Sequence, residues 1–391
     1  MQIIFVSNYI NHHQLPFCRA MLSQNDGEFI FIQMEPMEQE RIEMGWGLDV
    51  KELPFVHCYN EEPEFCQNLI DRGEIVIYGG VEEESYITPR IEAGKLTFRY
   101  SERIYKEGQW KFISPRGLKK KYHDHIRYRK KDVYLLCAGA YVASDFHLIH
   151  AYPGKMYAWG YFPEFKEYRL DELMDCKDKD EKTEILWAGR MIDWKHPDDA
   201  IYAVADLLKR KKQIHLTMAG GGAMEAQLKK LTVDLGIEQS VTFTGFLSPS
   251  EIRTKMMAAD IFLFTSDYRE GWGAVLNEAM NSGCAVIASS GIGAVPYLLQ
   301  HGKNGMVYRN GKVKELREYV LQLAEDRNTC RRLGMNAYET IRTKWNADTA
   351  ASNLLRVIRS AQTENPEAAP DGPASRAEII APGKGYAYTR K

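Results

Sequence analysis

Little in this sequence points to a secreted, metal-binding or membrane-spanning chain. Its seven cysteines, at positions 18, 58, 66, 137, 176, 284 and 330, are scattered through 391 residues, and no two stand at metal-ligand spacing. An odd, dispersed set of this kind reads as reduced thiols of a cytosolic protein. The longest mostly apolar stretch, 133–143, is about half of what a bilayer span requires. Residues 3–6 form a short apolar run without a basic leader or cleavage site, so no signal peptide is expected. Net charge is −2, which offers nucleic acid no global field. The one D-x-D, Asp178-Lys179-Asp180, falls in a charge run that reads as linker and not as a metal site.

What is present is the patterning of a soluble α/β protein. Hydrophobic residues at 45% and charged ones at 27% exclude disordered and fibrous classes, and the length suits two domains of roughly 150–200 residues. Short apolar runs alternate with helical periods, the signature of parallel sheets with crossover helices. The first half offers strands at 2–7, 28–33, 74–78 and 132–137, with an irregular strand and loop over 95–115. The second half offers six, at 184–188, 213–219, 241–244, 260–265, 284–288 and 306–308, with regular helices between them. The charge run 171–182 shows no apolar face and is expected to link a first domain, 1–170, to a second, 183–345. A helical stretch, 332–360, follows, its last part (346–361) able to cross back to the first domain. The Pro-, Ala- and Gly-rich tail, 362–391, has little to pack and is expected to be disordered.

Four features in the second half fall in order for one site. Gly189-Arg190 ends a strand, with Lys195 five residues on from the arginine. Open α/β sheets bind ligands outside the carboxyl ends of their strands, and two fixed cations there can hold a diphosphate without metal. Gly220-Gly221-Gly222 follows the next strand, where a backbone can approach a ligand closely, although a plain tight turn explains it equally well. Glu270-Gly271-Trp272-Gly273 leads into a helix carrying Glu278 between Leu276 and Ala279. Two glycines flanking an aromatic make a turn whose amides can face a phosphate or sugar, and a carboxylate on that helix suits a ribose diol. Ser289-Ser290-Gly291-Ile292-Gly293-Ala294 makes a further strand-to-helix turn.

Together with Thr244-Gly245-Phe246, these motifs resemble the donor domain of glycosyltransferase family 4, closely over 183–345 and in architecture only before that. The two glutamates match the family's E-x7-E pattern. The resemblance implies a GT-B architecture, two Rossmann-like open parallel-sheet domains facing across a cleft. It also implies retaining, metal-independent transfer from a nucleoside-diphosphate sugar, with no cofactor beyond that donor: a UDP-sugar first, a GDP- or ADP-sugar as alternatives. Arg190 and Lys195 would stabilise the leaving diphosphate, with Gly189 and Gly221 beside the donor. Glu270 would hold sugar hydroxyls, and the amides of Gly271, Trp272 and Gly273 would lie near the phosphates. Glu278 would bind ribose, and Phe246 and Leu247 would flank the base. Two details depart from the family: His196 stands where a glycine usually follows the lysine, and the first loop, Asn8-Tyr9-Ile10-Asn11-His12-His13, lacks the usual glycine pair. A GT-B-fold epimerase, a phosphorylase and a non-catalytic sugar-nucleotide-binding regulatory subunit are the competing readings.

In the first half, Asn11 and Gln14 are expected to cap a helix, placing His12 and His13 in its first turn on the acceptor side. Gly79-Gly80 is a similar candidate, while Glu102 and His147 have no assigned place. The stretch 116–131 carries eight Lys/Arg and one acid, interleaved with Leu118, Tyr122, Ile126 and Tyr128. It reads either as a solvated helix face or as a patch for an anionic membrane surface, where each basic residue adds about 1 kcal/mol. A glycan or lipid-linked acceptor, a cytoplasmic location peripheral to the inner face of the plasma membrane and no nucleic-acid partner complete the expectation, in the setting of surface polysaccharide or glycolipid assembly.

Overall fold

The computed structural model describes residues 1–42, 45, 47–177, 182–210, 213–363 and 366–383; Asp178-Lys179-Asp180 lies outside them. Two compact units emerge: Met1–Glu164 with Trp345–Ala381, and a second built from Phe165–Lys344.

The first unit holds seven strands: β1 (Ile3–Ser7), β2 (Phe29–Gln33), β3 (Val56–Cys58), β4 (Ile75–Gly79), β5 (Thr97–Ser101), β6 (Val133–Ala138) and β7 (Met156–Trp159). They form one sheet in the order β3-β2-β1-β4-β5-β6-β7, and every paired neighbour is parallel. β1, β4 and β6 are buried along their whole length, as strands covered on both faces must be, which is why they read as continuous apolar runs without alternation. β3 and β7 escape a sequence reading because they are short and break the helix–strand alternation, with the 3-10 turn Val50–Glu52 before β3 and irregular chain over 160–169 after β7.

The second unit holds β8 (Thr183–Ala188), β9 (Ile214–Ala219), β10 (Val241–Gly245), β11 (Ile261–Phe264), β12 (Ala285–Ser289) and β13 (Met306–Tyr308). Their order is β10-β9-β8-β11-β12-β13, again parallel. This is the doubly wound arrangement whose strand order reverses at one point, here between β8 and β11.

Three expectations need correction. The charge run begins as a helix, Leu170–Lys177, belonging to the second unit. It has the apolar face that its charges conceal: Leu173 and Met174 are buried, and the Lys177 stem carries its ammonium inward to the Met256 carbonyl at 2.9 Å. The stretch 332–360 is two helices, Arg327–Thr343 and Ala347–Ala361, the second capped by the Asn346 side chain accepting from Thr349 N. That second helix packs on the Leu15–Gln24 helix of the first unit, where Gln24 Nε2 donates to Asp348 O at 3.1 Å.

The tail, finally, is ordered over 366–383. Ala158 N donates to Ser375 O, Ala374 N to Ala158 O and Ala377 N to Met156 O, so the tail runs antiparallel along β7. Arg376 lies over the Tyr157 ring at 4.8 Å, and Ala369 and Ala374 are buried. β7 is an edge strand, and the tail satisfies backbone groups that an open edge would leave exposed. Ending the chain at Thr363 removes those three backbone hydrogen bonds and should destabilise the first unit by about 2–4 kcal/mol. Urea titration with hydrogen exchange at Ala158 measures this; an unchanged midpoint and a protected Ala158 amide would show that the tail contributes nothing.

Candidate active site

β8 and β11 are neighbours at the reversal of the second sheet, so the loops leaving their carboxyl ends border one crevice. Trp187, buried near the end of β8, donates from Nε1 to Thr265 Oγ1 at 2.8 Å. Thr265 Oγ1 in turn donates to Lys195 O at 2.6 Å, and Asp267 N donates to Trp194 O at 2.9 Å. These bonds tie loop 189–196 to loop 265–270. They bring Lys195 Nζ to 2.7 Å from Glu270 Oε2, an oxygen that also accepts from Ser266 Oγ at 2.9 Å. With 13% and 12% side-chain exposure, the two charges are mostly out of water. The ammonium also stands 4.9 Å from the centre of the Trp194 ring. One Glu270 oxygen is thereby taken, and Oε1 remains to accept from a ligand hydroxyl. Arg190 is exposed.

The glycines are used for close approach. A Cβ on Gly189 would stand 3.3 Å from Lys195 Cδ, and one on Gly220 would stand 2.0 Å from Gly189 O. Gly221 lies under the ring of Phe246, where a Cβ would come within 2.9 Å. Phe246 itself is 59% exposed, an aromatic face open to a planar ligand, and Leu247 beside it is half-buried. Gly273 has φ +88, and a Cβ there would meet the Phe264 ring at 2.4 Å, so no other residue fits that turn. The turn after β12 joins the same edge: Gly293 N donates to Glu270 O, and Ala294 N donates to Trp272 O.

Trp272 is buried, with its indole N–H donating to Asn277 Oδ1 at 2.9 Å. Its ring is core, and only its backbone borders the loop. His196 has φ 47 and ψ 51, the left-handed conformation for which glycine is the ordinary choice. Its ring is buried with Nε2 3.5 Å from Asp267 Oδ2, and Arg269 grips the same carboxylate with Nε and NH2. Burial alone would raise the Asp267 carboxyl. Hydrogen bonds from His196 and Arg269, with the Arg269 charge, outweigh burial and hold it below the ordinary carboxylate range. Glu278, on the Val275–Asn281 helix, is mostly buried, with Oε1 3.9 Å from Arg253 Nε. Thr265, Ser266, Asp267 and Arg269 were missed in the sequence. The signal was there, a Thr-Ser-Asp run closing an apolar strand at its carboxyl end.

In the first unit the corresponding reversal lies between β1 and β4. Asn11 Oδ1 accepts from His13 N and Gln14 N, and Asn11 Nδ2 donates to Gln14 Oε1. The helix starts only at Leu15, however, because Asn11 O accepts from both Gln14 N and Leu15 N in a preceding turn. His12 and His13 therefore occupy that turn and not the first helical turn, their rings 3.9 Å apart. Gly80, at φ +74, passes close enough that a Cβ would lie 2.8 Å from Ser7 Oγ. Beyond β5, Glu102 accepts from Tyr161 Oη at 2.9 Å and pairs with Lys106. His147 is exposed and joins neither group.

Residues 172–340 match the family model described as glycosyl transferases group 1. This part of the chain is a group 1 glycosyl transferase domain. Over 200 residues the chain is 30% identical to the GDP-mannose-dependent alpha-(1-6)-phosphatidylinositol monomannoside mannosyltransferase of Mycobacterium tuberculosis (strain CDC 1551 / Oshkosh), covering 50% of this chain and 49% of that protein. Over 137 residues it is 34% identical to the alpha-monoglucosyldiacylglycerol synthase of Streptococcus pneumoniae (strain ATCC BAA-255 / R6), covering 35% of this chain and 30% of that one. The chain thus spans about half the length of the first relative and less of the second. Anabaena HepE, crystallised with UDP, aligns over 92% of this chain and 100% of its own with a TM-score of 0.69 at 16% identity. The likeness shows the fold, and the two parallel-sheet units of this chain have the GT-B architecture.

Within this glycosyl transferase domain, Asp267→Asn should remove an acid-sensitive part of the stability. A carboxyl held below its ordinary pKa stabilises the fold above that value, and the contribution disappears as pH falls through the native pKa. Stability curves of the unmodified and substituted proteins should therefore separate at neutral pH and converge below about pH 4. Curves that remain parallel into acid would show that Asp267 is not held ionised by His196 and Arg269.

Proposed function

We propose that the chain transfers a sugar from a nucleoside-diphosphate sugar, a UDP-sugar before a GDP- or ADP-sugar, to a glycan or lipid-linked acceptor. Transfer retains the anomeric configuration and needs no metal ion. The observation that carries this reading is the Lys195–Glu270 contact at the sheet reversal, with Arg190 exposed nearby in sequence and Phe246 open above Gly221. When the bond from the anomeric carbon to the diphosphate oxygen breaks, its electron pair moves onto the diphosphate. Lys195 and Arg190 stabilise that growing charge from positions set before the reaction, which is where electrostatic preorganisation is most effective. Glu270 accepts from sugar hydroxyls through Oε1, Glu278 accepts from the ribose diol, and Phe246 stacks on the base. The backbone of Gly271 and Gly273 lies beside the phosphates.

Two further points support the reading. HepE holds UDP on the same fold, and the two curated relatives are named for phosphatidylinositol and diacylglycerol glycolipids. On this basis the acceptor is a lipid-linked or surface-polysaccharide precursor, met at the cytoplasmic face of the membrane, where the basic stretch 116–131 faces anionic headgroups. Two cations at the diphosphate take the part that a divalent ion plays elsewhere.

Lys195→Ala should lower turnover by roughly 100-fold while leaving donor affinity nearly unchanged, because the cation acts mainly as charge develops. Glu278→Ala should instead weaken binding of the bare nucleoside diphosphate by about 1.5–3 kcal/mol, the worth of a charged hydrogen bond. Steady-state kinetics and calorimetric titration separate the two. Turnover abolished by EDTA and restored by magnesium would refute the metal-free mechanism, and an unaltered nucleotide affinity in Glu278→Ala would remove the ribose assignment.

A further inference from the structure

We infer that Trp110, Ile113 and Tyr122 form an apolar wedge that enters the interfacial layer of an anionic bilayer while the basic residues around them rest on its headgroups. This rests on the membrane-facing reading of the stretch 116–131 and adds to it a component that charge cannot supply.

Trp110 is 67% exposed, Ile113 66% and Tyr122 52%. Single exposed apolar residues are ordinary, but these three share a 3-10 turn, Gln109–Ile113, and the helix that comes after it, Pro115–Asp124. Ser114 joins the two, its Oγ accepting from Gly117 N. On the helix, Arg116, Lys119, Lys120 and His123 are exposed with Tyr122, whereas Leu118 and Lys121 are half-buried. Lys121 thus leaves the set of outward cations that the sequence suggested.

The wedge is presented by a rigid support. Gln109 Nε2 donates to Ser144 Oγ and to Asp145 Oδ1, both at 2.9 Å, and the fully buried Asp145 is held in turn by Arg103 and Tyr105 N. At the far end His125 is buried with Nδ1 2.8 Å from Tyr152 Oη, and Tyr128 is buried beside it. Both flanks of the segment are fastened to the unit and Phe112 and Leu118 pack on its core, while Trp110, Ile113 and Tyr122 stand exposed between them.

The charge pattern names the occupant. Lys120 pairs with Asp124 at 3.3 Å and Arg127 with Glu92 at 3.5 Å. Among the described residues no carboxylate pairs with Arg116, Lys119, Arg129 or Lys130. Trp and Tyr beside an aliphatic residue, rimmed by Lys and Arg, is the composition of a surface lying in the headgroup boundary of an anionic bilayer. No helix among the described residues is long and apolar enough to cross a membrane, so contact of this kind is superficial.

The test uses the full chain with phosphatidylcholine vesicles containing phosphatidylglycerol, at low and high salt. Part of the sedimentation should survive high salt, because screening removes the charge component and leaves the apolar one. Trp110→Ser with Ile113→Ser should lose about tenfold or more in vesicle affinity and all of the salt-resistant fraction, with circular dichroism unchanged. Brominated lipids should quench tryptophan emission in the unmodified protein, and Trp110→Phe should still bind while losing that quenching. Undiminished sedimentation by the double serine variant, without bromine quenching, would overturn the wedge and leave docking by charge alone. No sedimentation at any salt would overturn both readings. Binding to the polyanion heparin that depends on Trp110 and Ile113, without vesicle binding, would assign the face to a polyanion and overturn the wedge as well.

Discussion

The contact between Lys195 and Glu270 is the one on which the site depends, because it places opposite charges 2.7 Å apart where little water reaches them. Leaving either charge alone in such a place is expensive, so the two loops that carry them must be held in register. The structure does this from beneath. Trp187 donates to Thr265, Thr265 donates to Lys195 O, and Ser266 completes the shell of Glu270 Oε2. In the proposed reaction a diphosphate would give Lys195 a second partner of the same sign as Glu270, and the sugar that comes with it would meet Oε1 of that glutamate.

The strand order explains why this happens at one place. In both sheets the order reverses once, between β1 and β4 and between β8 and β11. In doubly wound sheets the connections from the two neighbouring strands run to opposite faces, which opens a crevice at the carboxyl edge at that point. In the second unit that opening is lined by charge and glycine, in the first by Asn11, Gln14, Ser7 and Gly80. The same topology thus yields a charged site in one unit and a neutral polar one in the other, set by the loop residues at the carboxyl end of each strand.

The second sheet was legible because its six strands, the short β11 and β13 included, are apolar runs in regular alternation with helices, and the glycine-bearing motifs lie at their ends. β3 and β7 were not, since a 3-10 turn precedes β3 and the irregular chain 160–169 follows β7, which breaks that alternation. The helix Leu170–Lys177 was hidden because its charges outnumber the two apolar residues that bury it. The indole of Trp272 is satisfied by the Asn277 amide inside the core, which leaves only the backbone of that residue at the loop. His196 looked like a departure from the family. Its ring packing on Asp267 offsets a left-handed backbone that a glycine would adopt without strain. The tail was misread for the opposite reason. Its composition gives nothing to pack, but backbone pairing along β7 needs no particular side chains.

The most direct test of sugar transfer at this site watches the sugar itself. The full chain would be incubated without acceptor with a panel of UDP-, GDP- and ADP-sugars, and the anomer released by slow hydrolysis read by NMR before it equilibrates in water. One nucleoside-diphosphate sugar should be consumed, the released sugar should keep the configuration it had in the donor, and Glu270→Gln should stop the reaction. Release of the opposite anomer, or no consumption of any nucleotide sugar by a protein that binds nucleoside diphosphate, would contradict the proposed chemistry.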